Sequence, residues 1–433
     1  MRILVIATQL PPYIGSGNVR ALNYINYLSR LGHQVEVIGV DYPKDSVAYD
    51  NHLENAFDEQ VKVYRIKPGY FYRFFYRRKA IKITKESSSN TSINSTLKGK
   101  INFLIKRNFV IPDAFMQWIL PAYFFGKKLN VKNKYDLLFT LHETPSSHIV
   151  GYLLKRKFKR LRWVGYWSDP WNEDSLRGER SFIKKIIEEK LEQLVIRRID
   201  KLLFTTKKTK KLYIKKYNLE KSKVSIVYRG YDKNLYKNIQ KDTYSNMSGL
   251  KEDKINILHI GTIYHQLRDI RPLCNAIDIL KINDVELYQK LNIVFIGQFD
   301  NIEDQKKLSS YDAVSILPLI PYQEALKYTV MANVLLLYGN KNSTQIPGKI
   351  YEYFGSKATI LTLYGDRYDE LKEIMEEVDK GPVIENKEMQ IYFALKNLIN
   401  EYSGNGVNSK WKEVNHQYEW ENVVRDLEYK LLN

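Results

Sequence analysis

Short, continuous apolar runs alternate with segments of helical period along most of the chain. Residues 3–7 are apolar throughout, as expected of a strand covered on both faces, and residues 8–17 read as the loop after it. Leu22, Ile25 and Leu28 then recur at helical spacing until Gly32 supplies a stop, and Val35, Val37 and Val40 mark a second strand. A βαβ unit of this kind predicts a parallel sheet with right-handed crossovers and a ligand site beyond the carboxyl ends of its strands. The pattern breaks over residues 70–110 into a basic, aromatic segment followed by the low-complexity run 87–96, which reads as a mobile loop.

The alternation resumes with strands at 137–140, 163–167 and 202–205, separated by a helix near 147–155 and a long amphipathic helix at 182–198. A short strand at 224–227 leads into a polar stretch that lasts to about residue 254, where the interdomain connection is expected. Strands follow at 255–260, 293–296, 314–317, 334–337 and 360–363 with helical stretches between them, so the second half reads as another doubly wound α/β domain. A closing helix at 418–431 puts Trp420, Val424, Leu427 and Leu431 on one face.

The bulk numbers fit this picture. A chain of 433 residues is too long for one ordinary core and predicts two domains. The single cysteine, Cys274, permits no intramolecular disulfide, fits a reducing compartment and reads as a small core residue. The apolar run at the start is short for a signal segment, and no stretch approaches the roughly 18 apolar residues of a membrane span. The formal charge of +19 is concentrated: residues 65–134 hold sixteen Lys or Arg against two acids, Glu86 and Asp113. A local basic zone implies an anionic partner at one surface rather than a general nucleic-acid coat.

The most informative stretch is STQIPGKIYEYFGSKATIL at 343–361. Pro347 and Gly348 open a helix whose first free amides, at Gly348 and Lys349, form an anion site to which the Lys349 charge adds. Glu352, one turn on, sets a carboxylate beside the same ligand, where it suits the hydroxyls of a ribose. The pattern reads as a site for phosphate plus ribose, against the plain alternative of a capped surface helix with solvated Lys and Glu.

Five pieces in register carry a resemblance to a known family. They are PPYIGSGNVRALNYINYLSRLGHQVEVI, VYRGYD, HIGTIYHQLRD, PYQEALKYTVMANVLLLYGN and IPGKIYEYFGSKATIL. Together they resemble glycosyltransferase family 4. The resemblance implies GT-B architecture: two facing Rossmann-like doubly wound α/β domains with a C-terminal helix returning to the N-terminal one. It implies an acceptor-side domain at 1–232, with the basic aromatic insertion 65–134 and the closing helix 411–433, and a nucleotide-sugar-binding domain at 233–410. The implied reaction moves a sugar from a nucleotide diphosphate sugar to an acceptor hydroxyl with retention at the anomeric carbon. No metal or other cofactor is expected, because protein groups hold the diphosphate, and the sequence has no HExxH-type or cysteine-rich ligand cluster.

Carried over position by position, Glu352 matches the glutamate that holds the ribose, and Gly348 and Lys349 fall where amides meet the diphosphate and donor sugar. Arg268, in the loop after Gly261, falls near a basic residue that neutralises the diphosphate, with Arg271 as a substitute, and Lys349 joins it as a catalytic candidate. Gly15 and Gly17 match the glycine-rich loop after the first strand. Two departures stand out. Thr344 occupies the place of the family's upstream glutamate, leaving a neutral hydroxyl and the neighbouring Gln345 for the donor sugar. In WVGYWSDPW, Ser168 stands where many members have a histidine, so Asp169 is the candidate polar or basic group on the acceptor side, with His142 and His148 as alternatives.

The segment YFYRFFYRRKAIKITK at 70–85 interleaves rings with positive charge, which suits an anionic membrane interface or single-stranded nucleic acid. Many members of the family act on lipid-linked acceptors at the inner face of the bacterial membrane, so the membrane is the preferred partner and nucleic acid the lesser one. The expected location is cytoplasmic and peripheral to that membrane, with a lipid-linked or cell-envelope glycan as acceptor. The competing readings are a nucleotide-sugar epimerase of the same fold and a non-catalytic partner protein that has lost chemistry.

Overall fold

The computed structural model describes residues 1–13, 16–46, 49–76, 104–142, 144–174, 177–239, 246–366, 369–404 and 416–433. The low-complexity run 87–96 and the second half of the basic aromatic segment, 77–85, lie outside the described residues. The chain divides into two compact units, Met1–Arg229 with Trp420–Asn433, and Gly230–Glu419.

The first unit is built on seven parallel strands. They are β1 (Arg2–Ala7), β2 (Gln34–Val40), β3 (Lys62–Ile66), β4 (Leu137–His142), β5 (Arg162–Trp167), β6 (Lys201–Phe204) and β7 (Val224–Ile226), arranged in the order β3-β2-β1-β4-β5-β6-β7. β1 lies at the centre, with Ile3 opposite Val35 on one side and Leu137 on the other. Its unbroken apolar run follows from burial on both faces. Ile3, Val5 and Ala7 pack toward the helices Ser16–Arg30 and Trp420–Leu432, while Leu4 and Ile6 pack toward Ile119–Asn133, Pro145–Lys157 and Phe182–Arg198. The closing helix completes the first of these layers. Trp420 meets the Tyr24 ring edge-on at 5.7 Å, and Val424, Leu427 and Leu431 join Ala21, Ile25 and Leu28 in one core.

The second unit holds six parallel strands: β8 (Ile255–Ile260), β9 (Leu291–Ile296), β10 (Val314–Leu317), β11 (Val334–Tyr338), β12 (Thr359–Tyr364) and β13 (Val383–Glu385). Their order is β10-β9-β8-β11-β12-β13. The chain leaves β8 toward β9 and β10 on one side and returns to β11 on the other, so the connections diverge between β8 and β11. In an open α/β sheet this divergence leaves a crevice at the carboxyl ends of the two strands.

The doubly wound reading of both halves is what the structure shows. Two strands escaped the pattern, β3 and β13, and both are edges. β3 alternates half-buried and charged positions, and β13 is only three residues long, so neither carries the apolar run of a central strand. Leu427→Ala would empty a fully buried site of the helix layer at a cost of about 2–5 kcal/mol. The expected outcome is weakened hydrogen-exchange protection across the first unit with protection of the second unchanged. Equal loss in both, or in neither, would count against this packing.

Candidate functional site

The carboxyl end of β8 is shaped by two glycines. Gly261 has φ +114° and Gly297, after β9, has φ +143°, both in the region that side chains avoid. A Cβ on Gly297 would lie 2.6 Å from the Gly261 carbonyl oxygen, and one on Gly261 would lie 2.8 Å from Lys349 Nζ. The missing side chain at Gly261 is therefore the space that the Lys349 amine occupies.

Lys349 begins the short helix Lys349–Phe354, next to the β11 end of the crevice. The residue as a whole is half-buried, but its amine turns inward and donates to His259 Nε2 at 3.1 Å. His259 Nδ1 lies 2.9 Å from the Leu336 carbonyl, which can only accept. The ring proton is therefore on Nδ1, and Nε2 presents a lone pair to the lysine. Burial, and next the charges of Lys349 and Arg268, hold His259 well below the usual histidine range. Burial and the Arg268 charge likewise hold the Lys349 amine well below the usual lysine range, with Glu352 opposing them.

Arg268 is buried beside these groups. Its Nε donates to Asn340 Oδ1 at 3.2 Å, Nη1 donates to the Thr262 carbonyl, and the guanidinium lies 5.7 Å from the Tyr264 ring centre. Asn340 in turn donates to the Gln345 carbonyl at 3.2 Å, tying the arginine to the loop that precedes the Lys349 helix. Neither Arg268 nor Lys349 has a carboxylate within ion-pair distance among the described residues. Desolvated cations without counter-charge are costly, and a bound anion removes that cost.

Gly348 and Lys349 also direct backbone amides that donate to no group among the described residues. Glu352 is half-buried on the same helix, its backbone carbonyl accepting from the Tyr236 hydroxyl. Its carboxylate is near enough to act on Lys349 and Tyr353. Thr344 and Gln345 lie in the adjoining loop, where the Gln345 amide donates to Ser343 Oγ at 3.1 Å. Thus Gly261, Arg268, Gln345, Gly348, Lys349 and Glu352 cluster around one crevice. Arg271 does not join them, because it is exposed and forks onto Asp269 with contacts of 2.8 and 2.6 Å.

In the first unit, Gly15 lies outside the described residues and Gly17 is buried in the first turn of the Ser16–Arg30 helix. His142 ends β4 and Asp169 follows β5, and both line a cavity of about 370 Å³ with Asp113, Trp171 and Arg177. The two ring nitrogens of His142 have no hydrogen-bond partner among the described residues, and burial, then Arg177 and Arg20, hold its pKa down to about 3. It therefore stays neutral, with both ring nitrogens buried in the wall of the cavity. His148 does not reach that cavity. It is fully buried, bonded through Nδ1 to Thr140 Oγ1 at 2.7 Å and stacked on Trp167 at 3.8 Å.

Comparison with known proteins follows this geometry. Residues 97–235 match the sequence model described as Glycosyltransferase Family 4. The resemblance to that family holds, and the fold is GT-B. Sucrose-phosphate synthase from Thermosynechococcus elongatus is 15% identical over 100% of this chain and 99% of its own, with a TM-score of 0.62. Anabaena Alr3699/HepE, solved in complex with UDP-glucose, is 11% identical over 99% of each chain at a TM-score of 0.61. UDP-GlcNAc 2-epimerase from Methanocaldococcus jannaschii is 16% identical over 99% of this chain and 100% of its own at 0.55. At such identities the likeness is one of fold. No curated protein sequence matches the chain.

Sequence reasoning missed His259 and Asn340, which orient the two cations. The one signal was a histidine inside the covered strand Ile255–Ile260, since a polar side chain there needs a partner. A diphosphate bound at this crevice would raise the depressed proton affinity of Lys349, so binding would take up protons and weaken as pH rises. Calorimetric titration of UDP in two buffers of different ionisation enthalpy should report uptake of up to about one proton, lost in Lys349→Ala. Buffer-independent heats would contradict the assignment.

Proposed function

We propose that the chain is a retaining glycosyltransferase that moves a hexose or related sugar from a nucleotide diphosphate sugar to a hydroxyl of a lipid-linked or cell-envelope glycan. The observation that carries this reading is the pair of desolvated cations, Arg268 and Lys349, set around Gly261 where the strand connections diverge. The UDP-glucose bound by the Anabaena structure of the same fold supports a donor of this class.

In this reading Arg268, the Lys349 amine and the amides of Gly348 and Lys349 hold the diphosphate, and Glu352 accepts from the ribose hydroxyls. Thr344 and Gln345 offer hydrogen bonds to the donor sugar. The bond from the anomeric carbon to the diphosphate oxygen breaks, and its electron pair stays on the departing diphosphate. Negative charge grows there during the step, so the cations act more strongly in the transition state than in the ground state. The acceptor oxygen forms the new bond on the face that the leaving group occupied and passes its proton to the departing diphosphate oxygen. No metal enters the scheme, since cationic side chains do the neutralising.

Asp169 and His142 serve the acceptor in the same reading. Both line the cavity of the first unit, whose carboxylate and neutral imidazole suit a hydroxylated acceptor. The protein works in the cytoplasm, at an anionic membrane surface.

Lys349→Ala and Arg268→Ala should each lower kcat/KM roughly 10²–10³-fold, the usual effect of deleting one charge-stabilising group. Glu352→Ala should weaken nucleotide binding about tenfold or more by removing a charge-assisted hydrogen bond. The check is steady-state transfer from a panel of nucleotide sugars together with nucleotide titrations. Full activity in all three variants would reject the reading, and consumption of donor to an epimer without acceptor would favour the epimerase.

A further inference from the structure

The helix Lys349–Phe354 carries both the Lys349 amine and the Glu352 carboxylate on only six residues. A helix of that length does not hold its own shape in water, so its geometry is set by whatever packs against it. Ile350, Tyr351, Tyr353 and Phe354 are buried, and the rings of Tyr351 and Phe354 lie 5.8 and 5.1 Å from that of Tyr418. The Tyr353 hydroxyl accepts from the Ile260 amide at 3.1 Å, which joins the helix to the end of β8. Lys380, itself buried, donates from Nζ to the Phe354 carbonyl at 3.2 Å and to that of Ser356, a cation at the end of the helix where its dipole favours one.

One more contact reaches the middle of the helix, at the residue whose carboxylate matters. Tyr236 lies in the helix Lys233–Asn238, whose start is fixed by Asp232 Oδ1 accepting the Asn234 and Leu235 amides at 2.9 and 3.1 Å. The Tyr236 hydroxyl donates to the Glu352 backbone carbonyl. Its ring lies against Gly355, where a Cβ would sit 2.2 Å from the ring. Gly355 has an ordinary helical φ of −69°, so the glycine serves the close approach of that ring and not an unusual backbone conformation. Burial, and next the Glu352 charge, hold the Tyr236 hydroxyl well above the usual tyrosine range, so it remains a donor at neutral pH.

The Glu352 carbonyl and the Glu352 side chain share one α-carbon. A bond that fixes the first therefore limits the directions open to the second, and in so short a helix few neighbouring turns share that task. Hydrogen bonds to a carboxylate weaken steeply with angle and distance, and a misplacement of about 1 Å at a positioning group can cost up to roughly a hundredfold. Tyr236 carries no charge and does not stand in any of the segments that announce the site from sequence, which is why periodicity and helix-start chemistry pass it over.

We propose that Tyr236 is a positioning residue of the donor site: its hydroxyl, seated by Gly355 and bonded to the Glu352 carbonyl, aims the Glu352 carboxylate at the ribose of the nucleotide. This rests on the reading of Glu352 given above and adds to it the residue that sets the direction of that carboxylate. The Lys349 amine, which has its own partner in His259, does not depend on Tyr236.

The test is calorimetric titration of UDP and of its dideoxy analogue, which keeps the diphosphate and lacks both ribose hydroxyls, against wild type, Glu352→Ala, Tyr236→Phe and Gly355→Ala. Wild type should prefer UDP by about tenfold or more, and Glu352→Ala should bind the two about equally. Tyr236→Phe should bring the preference to within about threefold of unity while the affinity for the analogue stays within about twofold of wild type. Gly355→Ala, which displaces the ring without removing the hydroxyl, should lower the preference in the same way. Equal weakening of UDP and analogue would mean that Tyr236 merely supports the fold, and it would overturn the proposal, as would a full preference kept in Tyr236→Phe. A wild type that does not distinguish the two nucleotides, or a preference that survives Glu352→Ala, would instead remove the ribose role of Glu352 and take the proposal with it.

Discussion

Arg268 and the Lys349 amine share a crevice at the end of β8 with a histidine that stays neutral, and among the described residues no carboxylate comes within ion-pair distance of either. The second unit is arranged around this charge. Gly261 gives up its side chain so that the Lys349 amine fits, Gly297 gives up its own so that the two strand ends can approach, and Leu336 fixes the His259 tautomer that receives the lysine. Arg268 is anchored through Asn340 to the loop that delivers Lys349. An arrangement that holds two desolvated basic groups in place with no direct ion pair favours an anionic ligand, which in the proposed reading is the departing diphosphate.

The first unit makes a different offer. His142 is neutral and aromatic, with no hydrogen-bond partner for its ring nitrogens among the described residues, in the wall of a cavity shared with Asp169. Groups of that kind discriminate hydroxyls rather than phosphates. In the proposed reading the two units divide the work, the second taking the nucleotide diphosphate and the first the hydroxylated acceptor.

Much of this was legible in the residues. The strands β1 and β11 announce themselves as continuous apolar runs because they are buried on both faces, β8 does so in spite of Asn256 and His259, and the helix at 182–198 is bounded as its pattern predicts. The cluster of Gly261, Arg268, Lys349 and Glu352 was reachable because backbone chemistry fixes it: turn glycines, a helix start and an acid one turn on. What stayed hidden depends on side-chain direction. Lys349 reads from sequence as a charge added to the anion site of a helix start, and the sequence does not show that its amine turns onto His259, a partner ninety positions away in the chain. His142 and His148 look alike on paper, yet Thr140 and Trp167 hold one inside the core while the other meets a cavity. Edge strands escaped for the opposite reason, since little of their surface is covered.

The central claim is that the crevice of the second unit grips a diphosphate rather than a base or a sugar alone. Its most direct measurement is a thermal-shift comparison of uridine, UMP and UDP at matched concentration, because a ligand that binds only the native state raises its apparent stability. The account predicts a clear rise with UDP, a smaller one with UMP and none with uridine, and the UDP rise should vanish when Arg268 and Lys349 are both replaced by alanine. An equal rise with all three, or one that survives the double replacement, would contradict it.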